Sequence, residues 1–389
     1  MNFMGDAYIL GIESSCDETA AAVVRSGEKL ISNVVASQIA THQPYGGVVP
    51  ELASREHLRA IVHVVRQALA EAKHSYESVD AIAVTQGPGL AGALLVGITY
   101  AKALAFALEK PLIAVNHLEG HIHAVLLEER QKGNHEVQFP VLALVVSGGH
   151  THLYLASQKG EAWTYENIGH TRDDAAGEAF DKVAKVLGLG YPGGPVIDRL
   201  STHGDPHAVK FPSAQIKHRD RRGRNDGRGV DSGDDRPRFD FSYSGIKTAV
   251  LRYVEANRMR SSIELRRAAL AGMAKPKLED YLANCDKQTL DLVASFQRAV
   301  VDDLVGRTLA AAEAHCAATL FVTGGVAANQ ELRQTFEREG AKQGFPVFFP
   351  SRPLSTDNAA MIAAAAYPKF LAKEFAAMDF SAEAGMVLR

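Results

Sequence analysis

The stretch "YILGIESSCDETAAAVV", residues 8–24, has the pattern of two β-strands joined by a polar turn. The residues before the turn are apolar, and those after it are small or β-branched. Apolar and β-branched residues are typical of buried β-strands. We therefore expect a β-sheet to begin here. The polar turn is predicted to hold Glu13, Ser14, Ser15, Asp17, Glu18 and Thr19.

Residues 141–155, "VLALVVSGGHTHLYL", repeat this plan with an apolar strand, a Ser-Gly-Gly-His-Thr turn and an alternating strand. Between the two units lie a predicted strand at 79–90, an apolar segment at 91–108 and a short strand at 111–116. Strands that alternate with helices are typical of α/β proteins. The sequence thus predicts an α/β fold with a duplicated architecture, in which one strand–turn–strand unit begins each half.

Helical periodicity fills much of the remaining chain. Apolar residues at three- and four-residue spacing predict a helix over 54–72, with Ser54 as its N-cap. The apolar run 91–108 carries a threonine, a tyrosine and Lys102, so we interpret it as a buried helix and not as a membrane span. The stretch 258–285, rich in Arg, Lys and Ala, is expected to be helical and peripheral.

The composition is that of a globular protein with two domains. The 389 residues are 46% hydrophobic and 22% charged, and the formal net charge is −3. A strongly basic nucleic-acid clamp is therefore excluded. The three cysteines, Cys16, Cys285 and Cys316, form no paired spacing, which favours a reducing compartment, the cytoplasm. Residues 215–238 hold Arg, Asp and Gly with almost nothing apolar, so we predict a flexible inserted loop.

Three glycine pairs stand at the predicted ends of strands or helices: Gly148–Gly149, Gly193–Gly194 and Gly324–Gly325. Glycine lets backbone N–H groups approach an anion, above all at a helix N-terminus. Each pair alone is also consistent with a tight connection. Together, in an α/β chain, they indicate a nucleotide cleft.

The stretch "NHLEGHIHA", residues 116–124, places His117 and His121 four apart. On a helix their Cβ atoms lie roughly 6 Å apart on one face, which suits two imidazoles on one divalent ion. A metalloprotease motif of the H-E-x-x-H type is disfavoured, because Leu118 follows the first histidine. A helix that merely carries histidines remains the alternative. Asp357, in "STDNA", is one candidate third ligand among many acids.

Asp17 and Glu18 in the first turn are candidates for orienting a phosphate-bound metal or for accepting a proton. A solvated turn is the alternative interpretation of this pair.

Seven motifs occur in a fixed order between about residues 8 and 371: "GIESSCDETAAAVV", "NHLEGHIHA", "VVSGGHTHL", "GEAFDKVAKVLGLGYPGGP", "FDFSYSGIKTAV", "VTGGVAANQELR" and "STDNAAMIA". Together they closely resemble the TsaD family, also known as Gcp or YgjD, in its bacterial form. This resemblance implies the actin-like ATPase (ASKHA) fold, with two RNase H-like lobes around a central cleft. We expect residues 1–138 to form the N-terminal lobe, with a helix at about 357–375 packing back on it, and residues 139–356 to form the C-terminal lobe.

The resemblance also implies the site. It assigns one divalent metal ion, Fe²⁺ or alternatively Zn²⁺, to His117, His121 and Asp357. It maps the paired acids of the family's first motif onto Asp17 and Glu18. An adenine nucleotide or threonylcarbamoyl-adenylate would occupy the cleft, and the resemblance assigns the contacts with it to Val146, Ser147, Gly148, Gly149, His150, Asp181, Gly194, Asp198 and Asn329.

The implied reaction moves the threonylcarbamoyl group from threonylcarbamoyl-adenylate, supplied by a separate synthase, to N6 of the adenosine next to the anticodon (position 37) in tRNAs reading codons that begin with adenine. The implied partners are tRNA, a TsaB-like paralogue and a TsaE-like ATPase. No interaction with a membrane is implied. The general base stays open among His150, Asp17 and Glu18. A metal-dependent glycoprotease and an actin-like ATP-binding module without transferase chemistry are the alternative functions.

Overall fold

The structure is a computed structural model that describes residues 6–160, 162–211, 239–273 and 276–389. The predicted loop 215–238 lies outside these residues.

The first sheet contains five strands in the order β3-β2-β1-β4-β5. β1, β2 and β3 are antiparallel, whereas β4 and β5 run parallel to β1. The strand–turn–strand unit predicted at the beginning of the chain therefore forms the centre of the sheet. Its strands are β1 Tyr8–Glu13, β2 Glu18–Arg25, β3 Lys29–Ser37, β4 Ala81–Gly87 and β5 Leu112–Asn116.

The second sheet has the order β10-β9-β6-β7-β8. β6, β7 and β8 are antiparallel, and β9 and β10 run parallel to β6, so the sheet repeats the connections of the first one strand for strand. The predicted duplication is confirmed. The strands are β6 Val141–Val146, β7 Thr151–Lys159, β8 Ala162–His170, β9 Thr319–Thr323 and β10 Val347–Phe348.

Helices cover both faces of the first sheet, because side chains alternate along β1. Leu10 and Ile12 face α2 and α3, whereas Ile9 faces α4 and α13. Gly11 lies directly under α13, and a Cβ there would meet the backbone oxygen of Ala359. The helices of this half are α1 Ile39–His42, α2 Pro50–Ala72, α3 Ala91–Leu108 and α4 His117–Gln131, joined from the chain end by α13 Ala359–Ala372.

One face of α4 packs on α13, and another packs on the second sheet through Leu118, Ile122 and Val125. α4 therefore lies between the two sheets. The opposite face of the second sheet carries the largest core, built with helices of the second half. These are α5 Ala176–Val186, α6 Gly193–Ser201, α7 Ser244–Ala256, α8 Arg260–Ala271, α9 Leu278–Ala283, α10 Lys287–Ala314 and α11 Gln330–Gln343, whereas α12 Arg352–Ser355 contacts α4 and places Leu354 in a core of the first sheet.

Two boundary predictions were wrong. α2 begins at Pro50 rather than at Ser54, whose hydroxyl instead donates to the carbonyl of Pro50. Proline is well suited to the first turn, since its fixed φ is helical and its missing N–H would be unpaired there. The first turn is shorter than predicted, because Glu13 ends β1 and Glu18 and Thr19 begin β2.

The helix predicted at 91–108 is present with those bounds, but it is not buried all round. About a third of its residues are buried, and Leu95 and Phe106 are 53% and 78% exposed. It packs on α2 and β4 with its inner face only. By length and composition alone α3 could cross a membrane. The chain end lies against it, with Lys102 donating to the carbonyl of Phe380.

The expectation of a peripheral segment at 258–285 was also partly wrong. Its described residues include the helices α8 and α9, but Arg266 is fully buried. Its guanidinium donates to the carbonyls of Leu187 and Asn284 and to the hydroxyl of Thr289. A buried cation needs such partners for each donor, so Arg266 holds α8 on the second-half core.

Candidate metal centre and cleft

The beginning of α4 fixes the histidine pair. The side chain of Asn116 accepts a hydrogen bond from the Leu118 backbone N–H, which caps the helix and starts it at His117. His117 and His121 then lie one turn apart on the same face, with ring centroids 4.8 Å apart and planes at 85°. Both side chains are buried.

Asp357 completes the group from near the end of the chain. Its Oδ1 lies 3.5 Å from Nε2 of His117 and 3.2 Å from Nε2 of His121. The next residue, Asn358, caps α13 by accepting from the Met361 N–H. Asp357 thus lies just before the beginning of α13, next to the two histidines of α4. The three ligand atoms all lie within 4.8 Å of one another.

The group fits a divalent cation. Nε2 of His121 is fully buried and has no hydrogen-bond partner in the part of the chain that the structure describes, since its approach to Asp357 lacks hydrogen-bond geometry. An unpaired buried imidazole nitrogen is costly unless something else occupies it. Two imidazoles and one carboxylate form a donor set used by both Fe²⁺ and Zn²⁺.

The charges of the group are strongly coupled. Burial lowers the pKa of His117, but the carboxylates of Asp357 and Glu13 outweigh burial and raise it to about 9. For His121 burial dominates and lowers the pKa. The neighbouring histidines hold the pKa of Asp357 below its usual range in spite of burial. A positive charge is therefore favoured between His117, His121 and Asp357.

Glu13, to which the sequence analysis gave no role, touches the centre. It ends β1, is fully buried, and its Oε2 lies 3.1 Å from Nδ1 of His117. Its signal in the sequence is an acid at the end of an apolar strand, which needs partners if it is buried.

His123 faces away from the centre, as its position two residues after His121 predicts. Its Nε2 lies 3.0 Å from the hydroxyl of Tyr165, and its ring packs on Trp163. Burial lowers its pKa to about 3. His123 is therefore a neutral core residue between α4 and the second sheet.

The turn between β6 and β7 reaches the centre from the second sheet. The ring centroid of His150 lies 6.0 Å from that of His117. Ser147 shapes the turn, because its N–H donates to the His150 carbonyl and its hydroxyl accepts from the His150 N–H. Gly148 and Gly149 are exposed beside open space. Val146, in contrast, is fully buried at the end of β6.

Asp181 lies on α5 and caps the neighbouring helix. Its Oδ1 accepts from the Gly193 N–H at 2.7 Å, and the Gly194 amide also bonds to it. Burial raises the pKa of Asp181 to about 6, with a further contribution from the charge of Asp17. The N-terminus of α6, which the glycine pair predicted as an anion site, thus already holds a carboxylate of the chain.

Asp17 is buried in the turn between β1 and β2, and Glu18 is the first residue of β2. The charge of Asp17 contributes to the raised pKa values of both Asp181 and Tyr191. Burial, followed by the charges of Asp17 and Asp357, raises the pKa of Glu18 well above its usual range. The charge of the first turn therefore acts on Asp181 of α5, and the charge of Asp357 acts on Glu18.

Asp198 and Asn329 meet at the beginning of α11. Both carboxylate oxygens of Asp198 accept from the Gln330 N–H, and Asn329 caps α11 by accepting from the Leu332 N–H. The Asn329 amide also donates to Gln297. These side chains hold the beginning of α11 and are engaged within the chain.

Comparison with known proteins gives the family. The sequence model described as "TsaD: tRNA N6-adenosine threonylcarbamoyltransferase" matches residues 29–364. The chain is 70% identical over 386 residues to the tRNA N6-adenosine threonylcarbamoyltransferase of Koribacter versatilis (strain Ellin345), covering 99% of this chain and 100% of that one. The chain belongs to the TsaD family.

A more distant TsaD relative, from Syntrophobacter fumaroxidans (strain DSM 10017 / MPOB), is 51% identical over 359 residues and covers 92% of this chain and 93% of its own. Among solved structures, full-length HypF in its phosphate- and nucleotide-bound form matches 95% of this chain and 47% of its own, with a TM-score of 0.55 and 13% identity. At that identity the likeness concerns the fold alone. The predicted α/β actin-like fold is confirmed.

Proposed function

We propose that this chain transfers the threonylcarbamoyl group of threonylcarbamoyl-adenylate to N6 of the adenosine beside the anticodon in tRNAs that read codons beginning with adenine. The observation that carries the proposal is the meeting of His117, His121 and Asp357 beside the 147–150 turn. The names of the TsaD relatives supply the reaction class.

The three residues would hold one divalent ion, Fe²⁺ first and Zn²⁺ as the alternative, through both Nε2 atoms and one carboxylate oxygen. When bound, such an ion supplies Lewis-acid polarisation of a carbonyl oxygen. Three protein ligands leave positions for substrate, as catalytic sites do.

The adenylate would lie along the turn of Gly148 and Gly149, whose open side leaves space for a phosphate beside backbone N–H groups. Val146, Ser147 and His150 would complete this wall. Hydrogen bonds within the chain already occupy the side chains of Asp181, Asp198 and Asn329. These residues, and Gly194, would therefore shape the cleft and would not bind the phosphate through their charges.

The bond changes are simple. N6 of the adenosine forms a bond to the carbamoyl carbon, the bond from that carbon to the phosphate oxygen breaks, AMP leaves and N6 loses a proton. Because an exocyclic adenine amine is a weak nucleophile, positioning and charge stabilisation must supply most of the acceleration. Asp17 and Glu18 are our candidates to accept the proton.

We further propose the lobe division at residues 1–138, with 357–375, and 139–356. A TsaB-like paralogue would pair with the first lobe, and a TsaE-like ATPase and a separate synthase would assist in the cytoplasm. Exposed Leu58 on α2, with Leu95 and Phe106 on α3, gives the first lobe an apolar surface that supports such pairing.

The test is direct incubation of the purified chain with threonylcarbamoyl-adenylate and unmodified tRNA, with and without the paralogue and the ATPase. Mass spectrometry of the digested tRNA should show threonylcarbamoyladenosine only when the chain is present. Peptide cleavage by the metal-loaded chain, or ATP turnover without tRNA modification, would instead support the glycoprotease or the ATP-binding module.

A further inference from the structure

We propose that Glu13 is a positioning residue that holds His117 with the proton on Nδ1, so that Nε2 faces the metal centre as a free ligand. The inference rests on the metal centre of the proposed function. A ligand histidine commonly donates its other ring N–H to a carboxylate, which fixes both tautomer and ring orientation. Here Oε2 of Glu13 lies 3.1 Å from Nδ1 of His117.

Glu13 is itself held in place. Its Oε1 accepts from the Ser15 backbone N–H at 2.5 Å, and its Oε2 also accepts from the hydroxyl of Thr85 at 2.7 Å. Thr85 belongs to β4, the strand next to β1. Two neighbouring strands and the first turn therefore aim one carboxylate at one imidazole nitrogen.

The hydrogen bonds dictate what an amide would do at this position. The Ser15 N–H requires an acceptor, so Gln at position 13 would place its oxygen there and turn its NH₂ group toward His117. That group is a donor only. Nδ1 would then have to accept, which moves the proton to Nε2 and removes the lone pair that a metal needs.

Ser15 offers an alternative partner, because its hydroxyl also lies 3.1 Å from Nδ1 of His117. A neutral hydroxyl accepts more weakly than a carboxylate and can equally donate. We therefore assign the orientation to Glu13 and a lesser contribution to Ser15.

The test measures the Zn²⁺ affinity of the purified chain by competition with a chelator, without any activity assay. Glu13→Gln should weaken the affinity by roughly 10- to 100-fold, the range seen when an outer partner of a ligand histidine is lost. Ser15→Ala should weaken it less. Glu119→Gln is the matched control: it also removes a buried carboxylate, in this case one on α4 itself, but Glu119 bonds Tyr165 and Lys369 and not a ligand.

A second measurement does not depend on the stability of a variant. NMR of the Zn²⁺-loaded, ¹⁵N-histidine-labelled wild-type chain should show His117 protonated at Nδ1 and metal-bound at Nε2. Coordination through Nδ1 would overturn the inference, and so would wild-type affinity in Glu13→Gln or a greater loss in Ser15→Ala. Failure of the wild-type chain to bind Zn²⁺ would overturn the metal centre as well, whereas full affinity in Glu13→Gln would overturn the inference alone.

Discussion

Oδ1 of Asp357 lies 3.2 Å from Nε2 of His121, although one residue precedes α13 near the end of the chain and the other lies on α4. The contact exists because α13 packs closely on α4 and on β1. Gly120 permits this approach, since a Cβ there would lie 2.9 Å from Ile362 Cδ1. The candidate metal centre is therefore a product of tertiary packing and not of the histidine motif alone.

Removing either histidine should empty the centre. In His117→Ala and His121→Ala we expect bound metal near zero and no tRNA modification, because two remaining ligands bind a divalent ion weakly. The fold should survive, since each sheet has its own core. His123→Ala is the control: it removes a buried imidazole from the same helix and should leave metal content intact. Elemental analysis of the three variants decides, and full occupancy in either ligand variant would refute the assignment.

Substitution of Gly11 should lower metal occupancy, although Gly11 contacts none of the proposed metal ligands. A Cβ at this position would collide with the backbone of Ala359, two residues beyond Asp357. Backbone cannot move aside as a side chain can, so Gly11→Ala should destabilise the chain by about 1–3 kcal/mol and lower metal occupancy.

Gly245→Ala provides the matched control for this substitution, because nothing lies within 4 Å of its added Cβ and alanine favours the helix that contains it. Thermal unfolding and elemental analysis of both variants are the measurements. Equal stability of the two variants would show that α13 can shift without consequence.

Much of this fold is readable from the sequence because the duplicated strand–turn–strand units and long periodic helices are local patterns. The helix at 91–108 was predicted with its observed bounds. The start of α2 was missed because proline chemistry, and not a polar cap, sets it. The burial of Arg266 was missed because its three acceptors come from distant or irregular segments.

The site was predictable only in part. The spacing of His117 and His121 indicates a shared face, but spacing cannot single out Asp357 from the other acids. That choice came from resemblance to a family. Glu13 was missed because its role depends on a contact between β1 and α4, which no local pattern encodes.

Asp181 should impose a pH dependence on stability. Burial raises its pKa to about 6 in the folded chain, above the ordinary value near 4. The stability it contributes is therefore present below about pH 4 and is lost as the pH rises through about 6.

Asp181→Asn lacks this titration. The free energy of unfolding of the wild type relative to Asp181→Asn should fall by on the order of 2–3 kcal/mol between pH 4 and pH 7. A difference between the two proteins that stays constant with pH, in denaturant titrations, would contradict the prediction.

The apolar surface of α3 should be a partner surface. Leu95 and Phe106 lie on one side of the helix and are 53% and 78% exposed, so they contribute little to the core. Replacing both with serine should leave the melting temperature nearly unchanged. Binding to the purified TsaB-like paralogue, measured by calorimetry, should weaken at least tenfold, because buried aromatic anchors dominate interface energies.

Leu265→Ser on α8, at a position 73% exposed, is the control and should bind normally. tRNA modification by the mixture should fall with the loss of binding. Unchanged affinity in the double variant would move the contact to another face of the first lobe.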